Sequence, residues 1–87
     1  MSEPKRILLI DDHQTVLIPC YYKLLHVETQ NNTLCLWAIV DPEAETTLVK
    51  IRIVGTGHDF DPAGLNYIGS AKMHNGMLVW HVFEDKS

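Results

Sequence analysis

The chain has 87 residues, of which 46% are apolar and 21% charged, the composition of one folded domain rather than a disordered tail. A chain this short hides only about 60% of its unfolded surface, so a single core is all it holds. Eleven acids against seven bases leave a net charge of −4, which argues against double-stranded nucleic acid or an anionic membrane as partner, and no apolar run approaches the roughly 20 residues of a membrane span.

Residues 1–6 are expected as a flexible N-terminal stretch. Asp11 and Asp12 interrupt the early apolar run before it reaches the length of a signal-peptide core, which gives a cytoplasmic location as the expectation. Ile7–Ile10 and Thr15–Ile18 read as a first hairpin closed by Asp11–Gln14. Lys5 to His13 looks like the first strand and acidic pair of a response-regulator receiver domain, in which paired carboxylates hold magnesium. That likeness stops after nine residues, because Thr15 to Pro19 cannot form the amphipathic helix that must follow. The acidic pair therefore reads as a solvated turn. Cys20 and Cys35 form no Cys-x-x-Cys motif; they are either one disulfide or two reduced thiols, and the reduced pair suits a chain without a secretion signal.

The next segment carries its own register. Asn31 and Asn32 suit a tight turn, which sets Thr29 opposite Leu34, Val27 opposite Leu36 and Leu25 opposite Ala38 on an apolar face. The reverse face pairs Gln30 with Thr33, Glu28 with Cys35, His26 with Trp37 and Leu24 with Ile39. A further strand over Leu48–Val54 buries Val49, Ile51 and Ile53 and turns Lys50 and Arg52 outward. Gly55-Thr56-Gly57-His58 follows it. Two glycines allow consecutive backbone N–H groups to converge on a phosphate, with Arg52 and His58 as further donors; the same residues also suit a bend at a sheet corner. Asp61–Asn66 is expected to form a helical turn, with Asp61 as cap and Pro62 in the first position. Asn75-Gly76 closes the last hairpin, setting Met73 against Leu78, Ala71 against Trp80, Gly69 against Val82 and Ile68 against Phe83. Its second face, with Ser70, Lys72 and His81 among Ile68, Val79 and Phe83, is only half polar and is expected to be partly covered. Residues 85–87 are expected to be flexible. The whole reads as an all-β or β-rich fold, a small antiparallel sandwich or barrel of six or seven short strands in one domain.

Five histidines lack metal-ligand spacing, and no nucleophile motif or paired catalytic acids occur, so no metal, cofactor or catalytic residue is expected. Trp37 lies outward beside His26, where it suits either a stacked nucleobase with Arg52 near it or a covered interface; Tyr67 is a second stacking surface.

Asp12 to Val16, Cys35 to Ala44, Ile51 to His58, Tyr67 to Gly69 and Leu78 to Glu84 follow one another in an order that resembles a family of short, mostly uncharacterised proteins of tailed phages and prophages. The resemblance implies a setting, the cytoplasm of a bacterial host, in which small proteins often counteract host defence by binding. Two modes follow as expectations. One is sequestration of a signalling nucleotide by Arg52, Gly55, Thr56, Gly57, His58, Trp37 and Tyr67, in a homo-oligomer that suits a symmetric ligand. The other is inhibition of a host protein through a sheet face or edge.

Overall fold

The computed structural model describes residues 1–73 and 78–86. Seven strands run β1 (Glu3–Leu9), β2 (His13–Pro19), β3 (Tyr22–Gln30), β4 (Thr33–Val40), β5 (Thr46–Gly55), β6 (Leu65–Met73) and β7 (Leu78–Asp85), with no helix among the described residues. They form two antiparallel sheets, one ordered β1-β4-β3 and the other β2-β5-β7-β6, stacked as a sandwich rather than closed as a barrel. Alternation explains the layering: Leu34, Leu36, Ala38 and Val40 of β4 and Val49, Ile51 and Ile53 of β5 are buried in one cluster with Val82. Each such leucine, isoleucine or valine side chain contributes about 1.5–3 kcal/mol by leaving water. Among the described residues no polar or charged residue is buried.

The Asn31-Asn32 hairpin has the expected register from Gln30–Thr33 through His26–Trp37. Both asparagines have positive φ, 50° and 61°, as a two-residue hairpin turn requires. The β6–β7 pairing likewise sets Met73 against Leu78, Ala71 against Trp80 and Gly69 against Val82. Its Asn75-Gly76 turn lies outside the described residues. Each register then slips by one residue: Leu24, not Leu25, faces Ala38, and Tyr67, not Ile68, faces Phe83. The two irregularities lie in β3 and β6, the edge strands along which the sheets meet. A Cβ on Gly69 would stand only 3.5 Å from the Val27 backbone nitrogen, and Thr29 Oγ1 donates to the Lys72 carbonyl at 2.7 Å. A bulge bends an edge strand, and here both bends occur where two edges approach.

Four expectations are corrected, the first being the flexibility expected from residue 85 on: Asp85 pairs with Lys50 and Leu65 in β7, and the Lys86 amide donates to the Gly64 carbonyl at 2.6 Å. Ile7–Ile10 and Thr15–Ile18 do not form a hairpin: β1 pairs with β4 and β2 with β5, so the chain crosses between sheets after Leu9. Crossing lets Ile7 and Leu9 face Ile18 across the core, where a hairpin would set them side by side. The Gln14 side chain closes the crossover, accepting from the Ile10 amide at 2.8 Å and donating to the Leu8 carbonyl at 2.9 Å. Glu3 to Arg6, expected as part of a flexible N-terminal stretch, pair with Val40 to Trp37. Asp61–Asn66 forms no helical turn. Asp61 accepts from the Ala63 amide, Leu65 donates to the Pro62 carbonyl, and Gly64 at φ 76° turns the chain directly into β6. Cys20 and Cys35 are both free, one exposed and one buried.

Candidate ligand-binding face

The outward positions of the four-stranded sheet are set by register alone. His13 faces Arg52, Arg52 faces Phe83, and Phe83 faces Tyr67, so one row crosses all four strands. The next row holds Val54, His81 and Ser70. Residues 56–64 leave β5 and return over this face, bringing Phe60 to 5.4 Å from the Phe83 ring centroid, while Tyr67 meets Phe83 edge-on at 5.6 Å. This is the cover that the half-polar face calls for, and it is partial. Tyr67 remains 61% exposed and Phe60 38%.

Beside the aromatic rings runs a chain of hydrogen bonds. The Tyr67 hydroxyl lies 2.6 Å from Ser70 Oγ, which lies 2.8 Å from His81 Nδ1, and His81 Nε2 lies 2.8 Å from Thr56 Oγ1. Arg52 is the cation in the row of His13, Phe83 and Tyr67. Its Nε is buried without a hydrogen-bond partner, and no described carboxylate forms an ion pair with it. A guanidinium has five donors in a fixed fork, so one with no carboxylate paired to it is suited to an incoming anion.

Gly55-Thr56-Gly57-His58 is a β-turn in which the His58 amide donates to the Gly55 carbonyl at 3.1 Å and Gly57 takes φ 89°. The Thr56 amide donates to Val79 at 3.2 Å. Two amides of the expected phosphate nest are therefore used within the chain, and the turn offers the Thr56 hydroxyl instead. A Cβ on Gly55 would meet the Trp80 ring at 3.0 Å and the His58 ring at 3.2 Å, whereas one on Gly57 would meet nothing within 4 Å. Gly57→Ala therefore costs backbone strain alone, about 1 kcal/mol, measured as a lower urea midpoint at unchanged slope.

Arg52, Thr56 and Tyr67 thus share one face, with Gly55, Gly57 and His58 in the turn at its end. Trp37 does not join them. It stacks on His26 at 5.1 Å with 2° between the rings, on the outer side of the other sheet, and the cation facing it across the ladder is Arg6, not Arg52. The expected pairing of Trp37 with Arg52 is therefore corrected: two sheets separate them. The ligand site expected from the sequence left out Phe60, Phe83, His81, Ser70 and His13, although Ser70, His81 and Phe83 already shared the half-polar face of the last hairpin; the cross-strand register, which sets Ser70 opposite His81, is the signal that joins that pair to the site.

A second polar cluster sits at the mouth between the sheets, in an open cleft of about 830 Å³. The Tyr22 hydroxyl donates to Glu84, and Lys86 Nζ lies 2.9 Å from the same carboxylate and 5.9 Å from the Tyr22 ring centroid. Burial, then the bond to Glu84, raises the Tyr22 hydroxyl above its ordinary pKa, while Glu84 hydrogen bonding raises the Lys86 ammonium. These groups satisfy one another and tie β3 to the end of β7. Arg52 lacks such a partner, which is why the sheet face is the better site. Among the described residues no cluster of His, Cys, Asp and Glu is arranged to hold a metal ion, and no helix is long and apolar enough to cross a membrane.

Fold and face define an antiparallel β-sandwich with a mixed aromatic and cationic sheet surface. The chain belongs to the family described as Domain of unknown function (DUF7352), whose model matches residues 4–87. No curated protein and no solved structure shows a significant match.

Proposed function

We propose that this protein binds a nucleotide-like ligand, a planar base carrying phosphate, on the outer face of its four-stranded sheet. The observation that carries this reading is Arg52: a half-buried guanidinium with no carboxylate paired to it, in a row with Phe83 and the exposed Tyr67. Aromatic rings on a sheet stack any base, at about 1–3 kcal/mol per base, and a cation beside them takes the phosphate. The acidic net charge is compatible with a small ligand held at one local cation and disfavours a long polyanion. In the bacterial-host setting that the phage resemblance implies, such binding sequesters a signalling nucleotide and needs no cofactor.

Native mass spectrometry of the purified chain, alone and with a panel of cyclic and linear nucleotides, tests this reading and reports subunit number at once. A nucleotide retained at fixed stoichiometry is the expected result. A chain that ignores the whole panel overturns it. The alternative, binding to a host protein, is favoured by the other sheet, where exposed Leu8 and Ile39 flank Trp37 on its outer side. Stoichiometric recovery of one protein partner, lost in Trp37→Ala, would support that reading.

A further inference from the structure

We propose that His81 makes the anion site proton-coupled: protonating its ring releases the Thr56 and Ser70 hydroxyls toward the ligand, which is a phosphate monoester bound with proton uptake. This rests on the nucleotide reading above and specifies its phosphate.

The argument is one of hydrogen-bond polarity. A neutral imidazole has one N–H and one bare nitrogen. Both His81 nitrogens stand 2.8 Å from a hydroxyl oxygen, Thr56 on Nε2 and Ser70 on Nδ1. One hydroxyl must therefore turn its proton into the ring to serve the bare nitrogen. When Ser70 does so, Tyr67 donates to Ser70, His81 donates to Thr56, and the Thr56 proton is left for the Val79 carbonyl at 3.4 Å. When Thr56 does so, the chain runs the other way. Protonated His81 donates through both nitrogens, and neither hydroxyl is needed by the ring. Both O–H groups are then free to turn to the open face, carrying the imidazolium's polarity to a ligand one atom further out.

The same geometry disfavours a hydroxyl nucleophile. In the Ser-His-Asp arrangement a buried carboxylate stabilises the imidazolium. Here no described carboxylate forms an ion pair with His81. The charged and titratable groups around it are Arg52 on β5, His13 on β2, Tyr67 and Lys72 on β6, and His58, Asp59 and Asp61 in the covering segment. No carboxylate is paired with the ring, so a bound anion would supply the closest charge compensation for imidazolium. Arg52 is permanently charged, so Arg52 with protonated His81 matches a dianion, which a monoester supplies near neutral pH and a single diester does not. Ligand raises the proton affinity of His81, so the extra affinity is present below the imidazole range and lost as pH rises through it.

The test is titration calorimetry with a nucleoside 5′-monophosphate and its cyclic diester, at pH about 6 and about 8, in buffers of different ionisation heat. For the parent chain, monophosphate binding about tenfold tighter at the lower pH, with a net proton uptake larger than that of His81→Asn, is expected. His81→Asn, its fold checked by melting, reports the ligand's own titration. Thr56→Val and Ser70→Ala should each reduce the pH dependence, while Arg52→Met weakens binding at both pH values and keeps it. Equal pH dependence in the parent and His81→Asn overturns the proton coupling and leaves the nucleotide reading standing. Equal affinity for monoester and diester overturns the assigned ligand class. Absence of binding at either pH overturns the nucleotide reading and the coupling with it.

Discussion

A Leu36→Ala variant unfolds about 3 kcal/mol more easily than the parent chain in urea. Leu36 lies on β4, the central strand of its sheet, opposite Ile7 on one side and Val27 on the other. It is fully buried, in one cluster with Ile18, Ile51 and Val82, which the other sheet supplies. Removing its isobutyl group loses the transfer energy of the methyl groups and leaves a cavity. Strands hydrogen-bonded on both sides cannot move in to fill it, so the cost falls in the middle of the range for large-to-small changes. A domain of this size has about 5–15 kcal/mol of stability in all, and its midpoint falls roughly 4–8 °C for each kcal/mol lost. Thermal unfolding should therefore drop by roughly 12–24 °C. Leu48→Ala is the control: that leucine is 68% exposed and its loss should cost within about 0.5 kcal/mol. Similar losses in the two variants would mean that the sandwich core is not where these sheets place it.

The hairpin registers were legible in the sequence because two local signals agree there. Asn-Asn and Asn-Gly specify turns, and the alternation beyond them has period two, so a slip of one residue would expose the whole apolar face. The bulges were not legible. Leu25 and Ile68 are ordinary strand residues, and each register changes in a strand that meets its counterpart edge to edge, a tertiary fact that no local window contains. For the same reason Ile7–Ile10 and Thr15–Ile18 read as a hairpin: two adjacent apolar strands with an acidic turn pair locally or cross between layers on identical patterns. The site divides along the same line. Arg52, Thr56 and Tyr67 were found from outward alternation and from the glycine turn, while Trp37 was grouped with Arg52 because strand order was unknown. Phe60 was missed because its ring reaches Phe83 only through the return of residues 56–64, whose expected helical turn is instead a Gly64 turn.

Arg52→Met is expected to change stability and binding in opposite directions. Methionine keeps an unbranched stem in the row between His13 and Phe83 and removes the guanidinium. The buried Nε has no partner in the free protein, and a polar group left so costs about 1–3 kcal/mol. Its removal should therefore raise the unfolding free energy, by about 1 kcal/mol once the partial exposure of Arg52 is allowed for. Binding of a phosphate-bearing ligand should fall roughly 10- to 100-fold, because hydrogen bonds to a charged group contribute about 1.5–3 kcal/mol each. Arg52→Lys keeps the charge and loses the planar fork, so its affinity should lie between the two. A structural arginine gives the reverse pattern, with stability lost and binding untouched. Paired urea unfolding and calorimetry on the three proteins separate the cases. If Arg52→Met is less stable than the parent and binds nucleotide equally well, Arg52 is part of the scaffold and the ligand face has been misplaced. A more stable protein that no longer binds would place Arg52 among residues kept at the expense of the fold, the trade that a binding site imposes.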